Sequence, residues 1–103
     1  MRSIGHFIGG KHVKGTSGRF ADVFQPMTGD VQAQVALATK AELRAAVENA
    51  KAAQPAWAAT NPQRRARVFM KFLELVARDN DAMAEMLARE HGKTFPDAKG
   101  DIL

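Results

Sequence analysis

The sequence predicts an α+β chain, with short β-hairpins over residues 1–38 and three to four α-helices over residues 39–103. Three observations carry that expectation. Apolar residues recur with period 2 up to Ala38, and from Thr39 onward the period becomes 3.6. Gly9-Gly10, Gly15-Thr16-Ser17-Gly18 and the Pro26 to Gly29 stretch punctuate the first part with turn chemistry. Helix start and stop signals recur in the second part, at Thr39, Asn61-Pro62 and Gly92.

His6 to Ile8 and Lys11 to Lys14 flank Gly9-Gly10, a two-residue connection of the kind that closes a hairpin. Arg19 to Phe24 is a third strand, with Phe20 and one of Val23 or Phe24 facing a core. Pro26 suits the second position of a β-turn, and Gly29 supplies the backbone freedom that closes it. Val31, Ala33, Val35 and Leu37 then alternate with Gln32, Gln34 and Ala36, so a fourth strand with one buried face runs from Val31 to Ala38. All four strands are short and lie at one end, which calls for a sheet completed by something else.

Thr39 and Glu42 have the T-x-x-E spacing of a capping box. Leu43, Val47, Ala50 and Gln54 follow one line of the first helix, beside Ala46, Ala53 and Trp57. Pro55 is expected to end or kink that helix near Ala53, leaving Trp57 to cap the corner. Asn61 as N-cap and Pro62 at the first helical position start a second helix. Its apolar face is broad: Val68, Phe69, Phe72, Leu73 and Val76. Asp79-Asn80-Asp81 marks a break or a tight bend. A third helix carries Met83, Met86 and Leu87 and closes at Gly92, and a fourth begins near Pro96-Asp97 and is still gathering pace at Leu103. That ending predicts the front of a longer protein.

The 103 residues bound the chain to one domain at most, near the small end for a self-sufficient core. With 46% hydrophobic and 25% charged residues the composition is that of a globular chain, not of a disordered tail. The absence of cysteine excludes a disulfide framework and thiolate metal ligands, and it fits a reducing compartment. No apolar run approaches the ~20 residues of a membrane span. The opening MRSIGHFIGG lacks the apolar core of a secretory signal, and its early strand pattern argues against a transit peptide. The chain therefore reads as soluble and cytoplasmic.

A net charge of +4 invites a nucleic-acid reading, centred on Arg64, Arg65, Arg67 and Lys71. These arginines fan around the helix, however, and Glu74, Asp79, Asp81 and Glu85 follow, so solvated or partner-paired arginines are the simpler account. Gly92-Lys93-Thr94 looks like the end of a phosphate-binding loop, but Leu87 stands where the pattern needs glycine, and the triplet follows a helix rather than a strand. A helix stop explains it. His6, His12 and His91 lack acidic neighbours at metal-ligand spacing. Glu85 and Glu90 are too far apart on a helix for a catalytic pair. Ser3 and Ser17 are expected in Gly-flanked loops with no neighbouring base, and Met83 and Met86 read as core filler. No residue is assigned a catalytic, cofactor-binding or metal-binding role.

The stretch FQPMTGDVQAQVALATKAEL, from Phe24 to Leu43, resembles the N-terminal segment of aldehyde dehydrogenases, where an "NPxTGE" turn leads through a strand to the first helix. FIGGKHV (Phe7 to Val13) resembles the family's "FINGxW" hairpin. AAVENAKAAQPAW (Ala45 to Trp57) resembles its alanine-rich helix, and EHGKTFPDAKGDI (Glu90 to Ile102) its "GKxxxEAxGD" passage. Gly9-Gly10-Lys11, NPQRRARVFMKF (Asn61 to Phe72) and EHGK followed by DAKGD are similar to the coenzyme-A-acylating methylmalonate-semialdehyde branch. Gln25, Met27 and Asp30 depart from the usual Asn, Ala and Glu of the turn, and His12 stands where many relatives carry Trp.

The resemblance implies an α/β parent, with NAD and coenzyme A as its cofactors. A cysteine thiolate there attacks the aldehyde, hydride passes to the nicotinamide, and coenzyme A takes the thioester; methylmalonate semialdehyde leaves as propanoyl-CoA with loss of carbon dioxide. The nucleophile, glutamate base, oxyanion-hole asparagine and cofactor-binding lysine of the family would all lie beyond Leu103, along with the Rossmann core and catalytic domain. The 103 residues are accordingly expected to be structural and inactive, and to bind neither cofactor. Their partners would be the remainder of the dehydrogenase chain and further copies in a homo-oligomer, with no nucleic acid and no membrane. An exposed apolar face at Val68, Phe69, Phe72 and Val76, and with it self-association, is expected of the isolated chain. The alternatives are a stand-alone helical interaction module and a basic nucleic-acid binder.

Overall fold

The computed structural model describes residues 1–103 as five strands followed by four helices. The chain divides into two compact units. One comprises Met1–Phe24 with Val31–Ala59, the other Gln25–Asp30 with Thr60–Leu103.

The first unit holds strands β1 (Arg2–Ile4), β2 (His6–Ile8), β3 (Lys11–Val13), β4 (Phe20–Phe24) and β5 (Val31–Ala36), then helix α1 (Lys40–Ala59). β2 and β3 form the expected antiparallel hairpin, with His6 opposite Val13 and Ile8 opposite Lys11. Gly9 and Gly10 both take positive φ, 60° and 78°, the pairing that a tight two-residue turn between right-twisted strands demands. The three-stranded sheet has the order β1-β5-β4, with β4 antiparallel and β1 parallel to the central β5.

The sequence reading omits β1, which has three residues and gains its definition by pairing Arg2 with Ala33 and Ile4 with Val35. The expected strand ends also shorten: β3 stops at Val13, β4 begins at Phe20, and β5 stops at Ala36. The single buried face expected of β5 is corrected too. Ala33 and Ala36, which sit at opposite parity, are its two buried residues. Val23 pairs with Ala33 and Phe24 with Val31, so Gln32 is an extra residue in a bulge at the start of the strand. Its side-chain amide donates to the Phe24 carbonyl at 3.3 Å.

α1 does not end near Ala53. The helix runs unbroken from Lys40 to Ala59, with Pro55 and Trp57 inside it. Proline removes the hydrogen bond to the Lys51 carbonyl, a cost of about 3 kcal/mol in a helix interior. Nine of the twenty residues are alanine, the strongest helix former, and they offset that cost on both sides of the proline.

The second unit holds the turn and helices α2 (Pro62–Arg78), α3 (Asn80–His91) and α4 (Phe95–Ile102). In the turn the Gln25 carbonyl accepts from Thr28 N–H at 3.3 Å and from Gly29 N–H at 2.8 Å, which puts Pro26 at the expected second position. Asn61 caps α2 by accepting from Arg64 N–H at 2.9 Å. Asp79 both ends α2 and starts α3, so the expected break takes a single residue. Gly92 ends α3 with φ 89°, and a Cβ there would lie 3.2 Å from Pro26 Cγ and 3.3 Å from Met27 Sδ. The glycine thus serves both the left-handed cap and the close approach of the turn. α3 packs on α4, and the buried residue of each is an alanine, Ala84 and Ala98.

Core formation is slight throughout. The buried apolar residues are Ala33, Ala36, Ala84 and Ala98, and no large side chain is fully buried.

Candidate functional site

The polar cluster with the most geometry stands at the start of α1. Thr39 N–H donates to Glu42 Oε1 at 3.1 Å, and Glu42 N–H donates to Thr39 Oγ1 at 3.0 Å, completing the expected capping box. Thr16 adds its hydroxyl at 3.3 Å and its N–H at 3.5 Å to the same carboxylate oxygen. Donation from the Thr39 backbone, and then from Thr16, holds the Glu42 carboxyl below its ordinary value against the opposing effect of burial. His6 Nε2 lies 3.8 Å from Glu42 Oε2, buried and without a hydrogen-bond partner. The sequence reading missed this approach, because Glu42 is distant in sequence and no local signal couples a β2 residue to a helix cap. A carboxylate held low by donors on one of its oxygens is a poor proton acceptor. The cluster clasps the loop of Thr16 to the first turn of α1.

Ser17 serves the same end. Its hydroxyl donates to the Leu37 carbonyl, and Arg19 donates to the Ala38 carbonyl at 3.0 Å, so the loop before β4 is tied to the end of β5. Ser3 lies in β1 opposite Gln34 and lines a shallow open depression with Gly5, His12, Val13, Lys14 and Phe20. No carboxylate borders that depression. His12 packs edge-on against Phe7 with ring centroids 5.3 Å apart, and His91 is the exposed last residue of α3. No group of three or more His, Asp or Glu residues stands close enough to hold a metal ion.

Gly92-Lys93-Thr94 joins two helices, as a helix stop requires. Gly92 N–H donates to the Ala88 carbonyl at 2.8 Å, Thr94 Oγ1 accepts from Asp97 N–H at 3.4 Å, and the Lys93 ammonium pairs with Asp101. Glu85 pairs with Arg89 at 2.7 Å, one turn away. Of the two methionines expected in the core, Met83 is half-buried and Met86 is exposed. The packed side of α3 is the one that carries Ala84, and Met86 sits off it.

What the structure leaves conspicuous is apolar surface. On α2, Val68, Phe69, Met70, Phe72 and Leu73 are each more than half exposed, from 55% to 67%. On α1, Leu43 and Val47 are 60% and 54% exposed. Arg64, Arg67 and Lys71 follow a separate polar line of α2, where Lys71 pairs with Glu74 at 3.3 Å. No helix is long and apolar enough to cross a membrane.

The same segment recurs in much longer proteins. The profile of the aldehyde dehydrogenase family matches residues 12–103, and the chain belongs to that family. It is 39% identical over 102 residues to the malonate-semialdehyde dehydrogenase of Pseudomonas aeruginosa, covering 99% of this chain and 20% of that protein. It is 40% identical over 96 residues to the human mitochondrial acylating methylmalonate-semialdehyde/malonate-semialdehyde dehydrogenase, covering 93% of this chain and 18% of that protein. Among solved structures, a candidate methylmalonate-semialdehyde dehydrogenase from Sinorhizobium meliloti, complexed with NAD, is 66% identical and superposes with a TM-score of 0.91. The match covers 98% of this chain and 21% of that one. The chain thus spans about a fifth of the length of the curated relatives it matches. Both the α+β reading and the recognition of the family are borne out.

Proposed function

We propose that the chain is the N-terminal part of an NAD-dependent, coenzyme-A-acylating aldehyde dehydrogenase that converts methylmalonate semialdehyde to propanoyl-CoA. These residues would clothe the body of the enzyme and take no part in its chemistry. The observation that carries the proposal is the scarcity of internal core. The buried apolar residues are four alanines, while the aromatic and aliphatic side chains of α2 stand in the open. Contiguous apolar surface of that kind marks a face that another protein surface covers.

The residues present do not fit either cofactor. NAD would need a strand-to-helix turn rich in glycine, whereas Gly92-Lys93-Thr94 joins two helices with its lysine engaged by Asp101. Coenzyme A would need a thioester to attack, and the chain holds no cysteine to form one. On this proposal, hydride transfer and acyl transfer would fall to the remainder of the enzyme. Its partners would be the remainder of such a chain and, through the whole enzyme, further copies in a homo-oligomer working in the cytoplasm, without nucleic acid or membrane.

The purified chain, given methylmalonate semialdehyde, NAD and coenzyme A, is expected to form no NADH. Steady NADH formation above a buffer control overturns the structural role.

A further inference from the structure

Arg65 is the one charged residue on the apolar side of α2. Steps of three, four, seven and eleven from it reach Val68, Phe69, Phe72 and Val76, so its side chain leaves the helix among them. Arg64 and Lys71 border that face at Val68, and Arg67 lies on the other side. Arg65 is half-buried, and its Nε is shut away from solvent without a hydrogen-bond partner. A purely apolar cover laid over this face would strip water from the rest of the guanidinium and leave its donors stranded, a heavy desolvation cost.

We propose that α2 docks through Val68, Phe72 and Leu73 onto a protein surface that is apolar except for one carboxylate, which pairs with Arg65. The planar guanidinium fork suits a carboxylate better than any other side-chain acceptor. The inference rests on the function proposed above: the occupant is the polypeptide that completes a full-length member of this family, whose curated relatives are about five times as long as this chain. A second copy docked α2 against α2 is the poorer occupant. The apolar side of α2 holds no Asp or Glu, so that seam would bury two arginines with no anion between them.

The test is a full-length chimera in which this chain replaces the matching segment of the Sinorhizobium meliloti relative. Thermal melting is followed for the chimera, its Arg65→Met variant, and an Arg67→Met control on the polar side. Arg65→Met keeps the apolar stem and removes the charge, so it strands the carboxylate. The expected result is a Tm several degrees lower at about pH 8, largely recovered at about pH 5, where the stranded carboxylate takes up a proton. Arg67→Met is expected to melt with the parent chimera at both pH values. In the isolated chain, which lacks the carboxylate, Arg65→Met is expected not to lower the Tm. An Arg65→Met chimera that melts with its parent, or loses stability equally at both pH values, overturns the carboxylate while leaving the proposed function standing. A chimera that fails to fold overturns that function, and this inference with it. A discrete dimer of the isolated chain, dissociated by Leu73→Ala, assigns the face to a second copy instead.

Discussion

Asn61 shows how much one side chain decides. It satisfies the Arg64 N–H at the open end of α2, beside Pro62, whose missing N–H costs nothing at a helix start. Asn61→Ala is expected to destabilise the second unit by about 1 kcal/mol in urea unfolding followed by circular dichroism. Glu42 sets a pH dependence. Its carboxyl titrates lower in the folded chain than in the unfolded chain, so its contribution is complete above the unfolded value, near 4.5. The contribution is lost as pH falls from there through the depressed folded value. Glu42→Gln is expected to remove that portion of the acid loss, read as a flatter dependence of unfolding midpoint on pH below about 5. Both caps were legible in the sequence because capping is local. The approach of His6 to Glu42 was not, because tertiary packing alone creates it.

Among the elements, the hairpin at Gly9-Gly10, the turn at Pro26 and the starts of α1 and α2 follow from residues within a few positions of each other. β1 and the bulge at Gln32 escape that kind of reading. β1 exists through parallel pairing with a strand far along the chain, and the bulge through the register of β4 on β5. Pro55 shows the opposite failure, in which a strong local signal is overruled. With the Lys51 carbonyl left without its helical donor, Pro55→Ala is expected to stabilise α1 by up to about 3 kcal/mol. A higher thermal midpoint, with unchanged or greater helical ellipticity, is the outcome to look for. An unchanged or lower midpoint means that the proline ring makes contacts worth as much as the missing hydrogen bond.

For the whole molecule, the balance between core and surface carries the functional argument. The two units bury alanines and expose Phe69, Phe72, Leu73, Leu43 and Val47. Family membership was legible because the turn, hairpin and helix motifs fall in the same order as in the family, and the profile match over residues 12–103 agrees. A catalytic site was not legible, and the cysteine-free sequence offers no thiolate nucleophile.

The central claim, that these residues are the front of a dehydrogenase, is tested most directly by the denaturing mass of the native protein in its source cells. An antibody raised against this chain detects it. The expected species is about five times heavier than the 11.2 kDa of the chain itself, matching the length of the curated relatives. A single species at 11.2 kDa contradicts the claim and makes the short protein, with its bare α2, the working molecule.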